Sequence, residues 1–579
     1  MKSLYFVTAV LATSLSVEAF RLAQPANGQA NEDIEVDLPE SDPSGVDIVR
    51  FNNGDLIHGK FEGLDGGILW SRPDLEGKIK FKLKNLRQLV FDGARQGNPE
   101  LLQAHVSLIN GDQIPGEIVS LDADHLVLKS PIAGDLKIAR KQIKSLTPNP
   151  FDGQLSYAGP FTSDGWVMLN RKVSDEARRQ QEEEAAEVIK EGEREDQKEE
   201  AEKEAVKPKP SWLYSGASLY SANFNPVAFD AQLPDVGRIR FKTAWKNRLY
   251  LAVSFHADFT RPLPREIVGE DEPVEENAGD AEAVEGEAGE EAEENKAPEE
   301  KEFPPLKYES LFDQVQGKAF QSQEWLPESG TNQGPEVYGS SYTLTLNGSY
   351  PTLTRNTFDE EGNPKTKTFR AGRINSSFSN EGEAEFDIRF DRSKGIIYLY
   401  VDGQYASQWN DLDGYAGKGG SVAFSTLNAN SRVRISDIFV TSWSGMQDNA
   451  KSMNHDDRDI ALLTNGTDRF SGEAIGIANG VASFKSEFSE MSIPLEQLSE
   501  INFRAKGLAD PEKIKWSGQV GTILFKPVGR VSLSPKSATG TLLKGVSPVL
   551  GEVTVDLSSA VLLNFADDSY GLSEWITDF

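Results

Sequence analysis

The sequence predicts an all-β multidomain protein in which a central β-sandwich lies between two pairs of small β-barrels. Three observations carry this. Short apolar-alternating segments punctuated by Asn-Gly and Asp-Gly turns recur along the chain, the pattern of antiparallel hairpins. One such segment pattern repeats near both ends. The 579 residues also exceed what one domain holds at roughly 100 to 200 residues each.

The repeat is anchored on a turn. Asn53-Gly54-Asp55, Asn110-Gly111-Asp112 and Asn465-Gly466-Thr467 each follow an alternating apolar segment and precede a second glycine, Gly59, Gly116 and Gly472. Counting 27, 32 and 35 residues from the first glycine gives Phe81, Leu86 and Leu89, then Ile138, Ile143 and Leu146, then Ile493, Leu498 and Ile501. A worn fourth copy is expected to end in Leu557, Leu562 and Phe565, with its turn near Gly529. Asn-Gly supplies the positive φ of a tight hairpin, and the second glycine permits the return strand to bend sharply. The copy reading VSLINGDQIPGEIVSLDADHLVLKS resembles the Sm-like barrel, including its bacterial RNA-chaperone branch. That resemblance implies a small, SH3-like β-barrel in each copy. Lys137-Ile138-Ala139-Arg140-Lys141 departs from it by lacking the Lys-His pair of that branch, so RNA binding is not carried over.

The middle of the chain reads as longer strands. Ile239, Phe241 and Trp245 alternate on one face, and Phe386, Ile388 and Phe390 do the same before Ile396 to Val401 and the tight Asp402-Gly403 turn. Val422 to Phe424 and Val433 to Val440 complete the pattern. Tyr398-Leu399-Tyr400-Val401-Asp402-Gly403, with Arg434-Ile435-Ser436-Asp437-Ile438-Phe439-Val440, resembles the closing half of concanavalin A-like jelly rolls such as laminin-G-like modules. The resemblance implies a two-sheet sandwich and, in many of its members, a sugar-binding face.

These readings divide the chain into a signal peptide (1–19), a disordered linker (20–44), barrels at 45–95 and 103–150, and a sandwich at 152–445. Barrels at 456–506 and 516–568 and a tail at 569–579 follow. The sandwich carries a helical acidic insertion at 172–210 and a disordered acidic one at 262–305. Residues 174–206 hold 14 acidic and 6 basic side chains, and 266–302 hold 17 acidic residues against two lysines. Most of the formal charge of −31 therefore belongs to two low-complexity segments and says little about any binding face.

Lys2, the apolar stretch Leu4 to Val17 and the small-x-Ala site ending at Ala19 read as an export signal, with Ala30 as an alternative cleavage point. An exported chain belongs in the periplasm, at the cell surface or outside. A cysteine count of zero removes disulfides, thiolate metal sites and cysteine nucleophiles. Five histidines are scattered singly, and no G-x-S-x-G, H-E-x-x-H or phosphate-binding loop occurs. Export and the missing Lys-His pair argue against a nucleic-acid partner.

Glucanases on the jelly-roll fold carry three carboxylates on one strand, as Glu-x-Asp-x-x-Glu or Glu-x-Asp-x-Glu. Glu385 and Asp387 fill the first two positions and are the catalytic candidates, but the third is Arg389 or Phe390. The plainer reading is a solvated charged row of Glu385, Asp387 and Arg389. Asp411 and Asp413, spaced by two before Gly414, are candidate calcium ligands, and calcium is the one cofactor the sequence suggests. Trp409 and Trp245 are candidate stacking surfaces for sugar rings. Together these point to an exported, non-catalytic binding protein for polysaccharide. Two alternatives stand beside it: an envelope scaffold that assembles with envelope proteins through its barrels, and a divergent glycoside-acting enzyme.

Overall fold

In the computed structural model alternating segments pair with their sequence neighbours within the repeat units, and with strands distant in sequence at the centre of the sandwich. The structure describes residues 45–171, 211–263, 305–314, 321–371, 374–445 and 456–565, less 93–94, 96, 151–153, 328–332, 372–373, 375–377, 429–430, 444 and 466–467. The signal segment, the linker, the acidic segments 174–206 and 266–302 and the tail lie outside the described residues. Among the described residues the protein is nearly all β, and no helix is long and apolar enough to cross a membrane.

Four antiparallel units share one five-stranded plan, in which the second strand of unit 2 is split into Gln113–Pro115 and Glu117–Leu121. Unit 1 runs Asp47–Phe51, Leu56–Asp65, Ile68–Ser71, Lys78–Phe81 and Leu86–Val90, and its first strand pairs with both the second and the fifth. In each unit a single 3-10 turn joins the fourth strand to the fifth: Leu83–Asn85, Arg140–Gln142, Leu495–Gln497 and Leu557–Ser559. Unit 2 spans His105–Leu108 to Ile143–Thr147, unit 3 spans Asp459–Leu463 to Leu498–Asn502, and unit 4 spans Gly521–Phe525 to Ala560–Asn564. The turns share side-chain chemistry as well. An asparagine amide donates to the following aspartate in Asn53–Asp55 (2.6 Å), Asn110–Asp112 (2.8 Å) and Asn465–Asp468 (2.8 Å).

The fourth copy needs a corrected register. The backbone N–H that closes the first hairpin belongs to Phe51, Leu108, Leu463 and Phe525, which are therefore equivalent. From Phe525, the positions matching Phe81, Leu86 and Leu89 are Val555, Ala560 and Leu563, all fully buried, rather than Leu557, Leu562 and Phe565. Leu557 and its neighbours form the 3-10 turn, whose own apolar residue mimicked the spacing.

The units join across the intervening sandwich. The fifth strands of units 1 and 4 pair with Leu89 opposite Leu563, and those of units 2 and 3 with Leu146 opposite Ile501. Second-strand tips add Leu64 opposite Ala538 and Ile477 opposite Leu121. Units 4 and 2 meet where Arg530 pairs with Gln113. The row is therefore 1–4–2–3, with one continuous apolar core.

The sandwich has two eight-stranded sheets. The first is centred on Val236–Lys246, paired with Gly382–Asp391 on one side and Arg432–Ser442 on the other. The second is centred on Tyr250–Ala257, between Ser341–Asn347 and Ser421–Thr426. Ile239, Phe241, Phe386, Ile388 and Phe390 point inward with exposures of zero, as their alternation predicts. Asp402 and Gly403 both take positive φ (50° and 73°), the geometry of a two-residue hairpin turn.

Candidate functional site

The outer face of the first sandwich sheet turns toward units 2, 3 and 4, and a cleft of about 490 Å³ remains between them. Its floor follows from strand register. Arg238, Arg240 and Lys242 alternate on one strand and stand opposite Arg389, Asp387 and Glu385 on the next. The same alternation that buries Phe241 and Ile388 on the inner face sets this charged row on the outer one.

Its geometry is that of a fixed ionic cluster. Arg238 grips Asp387 with two hydrogen bonds, Nε to Oδ1 at 3.1 Å and Nη2 to Oδ2 at 2.5 Å, and Arg389 Nε adds a third at 3.0 Å. Arg389 also lies over the Tyr400 ring, 4.1 Å from its centroid. Burial works to raise the Asp387 pKa, but the two guanidiniums outweigh it and hold the carboxyl below its usual range. Lys242 sits 3.1 Å from Asp437, which pushes the ammonium up, while Asp437 is held down against its burial by that same lysine. Asp437 reaches this position through a bulge in the pairing of Val236–Lys246 with Arg432–Ser442, where its φ is +49°.

Units 2, 3 and 4 supply Lys144, Asp112, Glu500, Asn502 and Arg530, and Phe439 and Trp443 of the sandwich close the lining. Arg240 rests over Phe439 at 5.1 Å. Asp112 is 1% exposed; burial raises its pKa to about 6, with Ser532, Asn110 and Arg530 offsetting part of the effect. In all, six cationic and six anionic residues line the cleft.

The sequence candidates fall in different places. Glu385 and Asp387 both line the cleft, but the row is not freely solvated: Asp387 is 5% exposed and Glu385 and Arg389 are half-buried on the face turned toward the repeat units. Trp245 and Trp409 are inside the sandwich core at 3% and 4% exposure, and Trp245 donates to the Asn380 carbonyl. As placed, neither ring is open to stacking from solvent. Asp411 and Asp413 are held by cations of the protein itself. Asp411 accepts from Tyr342 Oη at 2.5 Å and lies in ion-pair contact with Arg355, 2.9 Å from its Nε, and Asp413 pairs with Lys367 at 2.5 Å. Their carboxylates are thus committed to three different partners and do not converge on a shared point.

Two kinds of residue escaped the sequence reading. The cations of the floor were legible as the alternation of Arg238, Arg240 and Lys242, but nothing local marked that face as covered. Asp47 and Asp459, at one repeat position, clamp their units from within. Asp47 accepts from Phe61 N (2.9 Å) and Asp92 N (2.8 Å), and Asp459 from Ala474 N (2.8 Å) and Arg504 N (2.9 Å).

No family model matches the chain, and no curated protein matches it significantly. Among solved structures, carbohydrate binding module CBM66 from Bacillus subtilis aligns with 40% of this chain and 91% of its own length at 6% identity, with a TM-score of 0.21. A Bacillus subtilis protein of unknown function with a galectin-like fold covers 39% and 83% at 11% identity and 0.21. The Bacillus licheniformis beta-glucanase covers 40% and 82% at 7% identity and 0.19. Likenesses this low carry no argument about what the chain does.

Proposed function

We propose that this is an exported, non-catalytic glycan-binding protein whose Sm-like barrels and jelly-roll sandwich together hold a sugar segment in the cleft between them. The observation that carries this is the balanced, pre-positioned charge of the lining. An apolar ligand would need apolar walls, and a polyphosphate or nucleic acid would need a net positive one. A polyhydroxylated ligand uses donors and acceptors together, which six cations and six carboxylates supply. Phe439 and Trp443 add flat apolar surface for a ring face.

The same geometry speaks against a retaining hydrolase on this strand. Such an enzyme needs one carboxyl able to give up and regain a proton, whereas Asp387 is pinned as a carboxylate by two arginines. The envelope-scaffold reading draws on a separate observation: the unit edges are used within the chain, which makes the four units a rigid platform.

Binding of the full-length protein to neutral and acidic polysaccharides, by array and then calorimetry, tests the proposal. Wild-type protein should retain at least one polysaccharide class, and Arg240→Ala or Glu385→Gln should weaken that binding at least about tenfold, on the order of 1.4 kcal/mol. Absence of binding across all classes would overturn it.

A further inference from the structure

Each of the three joints in the row 1–4–2–3 pairs a repeat position with itself. Leu89 and Leu563 are the same position of units 1 and 4, and Leu146 and Ile501 are the same position of units 2 and 3. At the middle joint Arg530 and Gln113 each stand five residues after the equivalent Phe525 and Leu108. Self-pairing of this kind marks a local two-fold axis, so each joint is isologous. A unit thus has two self-complementary surfaces, its fifth strand and its first hairpin. Units 4 and 2 use both.

Unit 1 uses its fifth strand only. Its residue equivalent to Arg530 and Gln113 is Leu56, which pairs with Arg50 on one side and has no strand on the other among the described residues. The whole hairpin differs in burial from its counterpart. Ile114 and Pro115 are buried in unit 2, whereas Ile57 is half-buried and His58 exposed in unit 1; Leu56 itself is 42% exposed. A shallow groove of about 630 Å³ lies here, lined by Phe51, Leu56 and Ile57 with Asn52, Asn53 and Asn85 around it.

We propose that this hairpin is an interface to a second copy of the same chain, joined by the two-fold pairing already made by units 4 and 2. The chemistry of that joint transfers. Asp112 of unit 2 faces Ser532 of unit 4, and the equivalents in unit 1 are Asp55 and His58. Two-fold pairing sets Asp55 of each copy against His58 of the other, giving two opposite-facing polar contacts around an apolar centre of Leu56 and Ile57. One hairpin buries far less than the roughly 800 Å² per partner of a standard interface, so the dimer should be weak and concentration-dependent.

Sedimentation of the full-length protein at rising concentration should show its mass moving from one chain toward two. Leu56→Asp should abolish the shift while leaving the melting temperature unchanged, since Leu56 is partly open to solvent. The absence of native cysteine allows a sharper readout. Residues self-paired across a two-fold lie at about 5.5 Å between Cα atoms, within disulfide reach. Leu56→Cys should therefore cross-link to a dimer under mild oxidation, and Leu542→Cys, equally exposed on unit 4, should not. A strictly monomeric protein, association undiminished by Leu56→Asp, or equal cross-linking from both cysteines would overturn the proposal.

Discussion

Asp387 and Asp112 are two buried carboxylates on opposite walls of one cleft, and their surroundings push them opposite ways. Asp387 has two arginines in hydrogen-bonding contact, so removing it leaves two guanidiniums beneath the repeat units without their shared anion. Asp387→Ala should cost about 3–5 kcal/mol, read as a fall in the denaturant midpoint at constant slope. A change under about 1 kcal/mol would mean that water reaches the cluster freely. Asp112 has no such pairing and keeps its proton to about pH 6, against 3.8 for its ordinary value. Its contribution to stability is complete below about pH 4 and is lost as the pH rises through 6, a total of about 3 kcal/mol. His105 and His256, buried with pKa values near 4 and 3 through desolvation, act in the reverse sense, destabilising the fold as the pH falls below 6.5. The difference between wild type and Asp112→Asn isolates the aspartate. The Asp112→Asn variant should gain stability relative to wild type from pH 4 to pH 7, and a pH-independent difference would refute the assignment. None of this was legible beforehand, because Asn110-Gly111-Asp112 reads identically to Asn53-Gly54-Asp55 and only the neighbour over it differs.

At the scale of elements, the bend glycine shows how far a repeat pattern can be read. A Cβ on Gly116 would lie 2.4 Å from the Lys129 carbonyl oxygen, and one on Gly472 would meet the Lys485 carbonyl at the same distance. Gly59 meets the Ser71 carbonyl likewise. The second and third strands approach too closely there for any side chain. Unit 4 has Leu533 at this position and puts the glycine on the facing strand instead. A Cβ on Gly545 would sit 2.6 Å from Leu533 Cδ1. The fourth copy, which also lacks the Asn-Gly pair at its turn, thus keeps the close approach while its glycine has changed strands. Gly116→Ala should lower stability by about 2 kcal/mol or more, since backbone rather than a mobile side chain opposes the new methyl. A melting temperature within one degree of wild type would show that the bend can open.

The whole molecule is held together by pairs formed between its two ends. Units 1 and 2 precede the sandwich and units 3 and 4 follow it, yet unit 1 bonds to unit 4 and unit 2 to unit 3. The sandwich is locked in place as well. Phe439 joins the core of the repeat units, and Ala217 packs with Ile48, Val90, Val561 and Leu562, while Arg50 donates to Ser215. A chain ending at residue 445 should expose the edges of Leu86–Val90 and Ile143–Thr147 together with their apolar faces, and should aggregate in light scattering. Adding residues 456–565 in trans should restore a soluble species. A truncated chain that stays monomeric and melts as the full protein does would show that the joints contribute little.

Strand positions, turns, inward-facing residues and the existence of repeats were determined by the sequence alone, because alternation and Asn-Gly chemistry act over a few residues. Alternation also told which face Asp387 and Arg238 occupy. It could not tell what covers that face, so a row that reads as solvated became the floor of a cleft, and Trp409, a candidate stacking surface, became core. Which repeat pairs with which was likewise left to the tertiary structure. All four fifth strands offer the same apolar edge, and only the path of the chain through the sandwich brings unit 1 to unit 4 and unit 2 to unit 3.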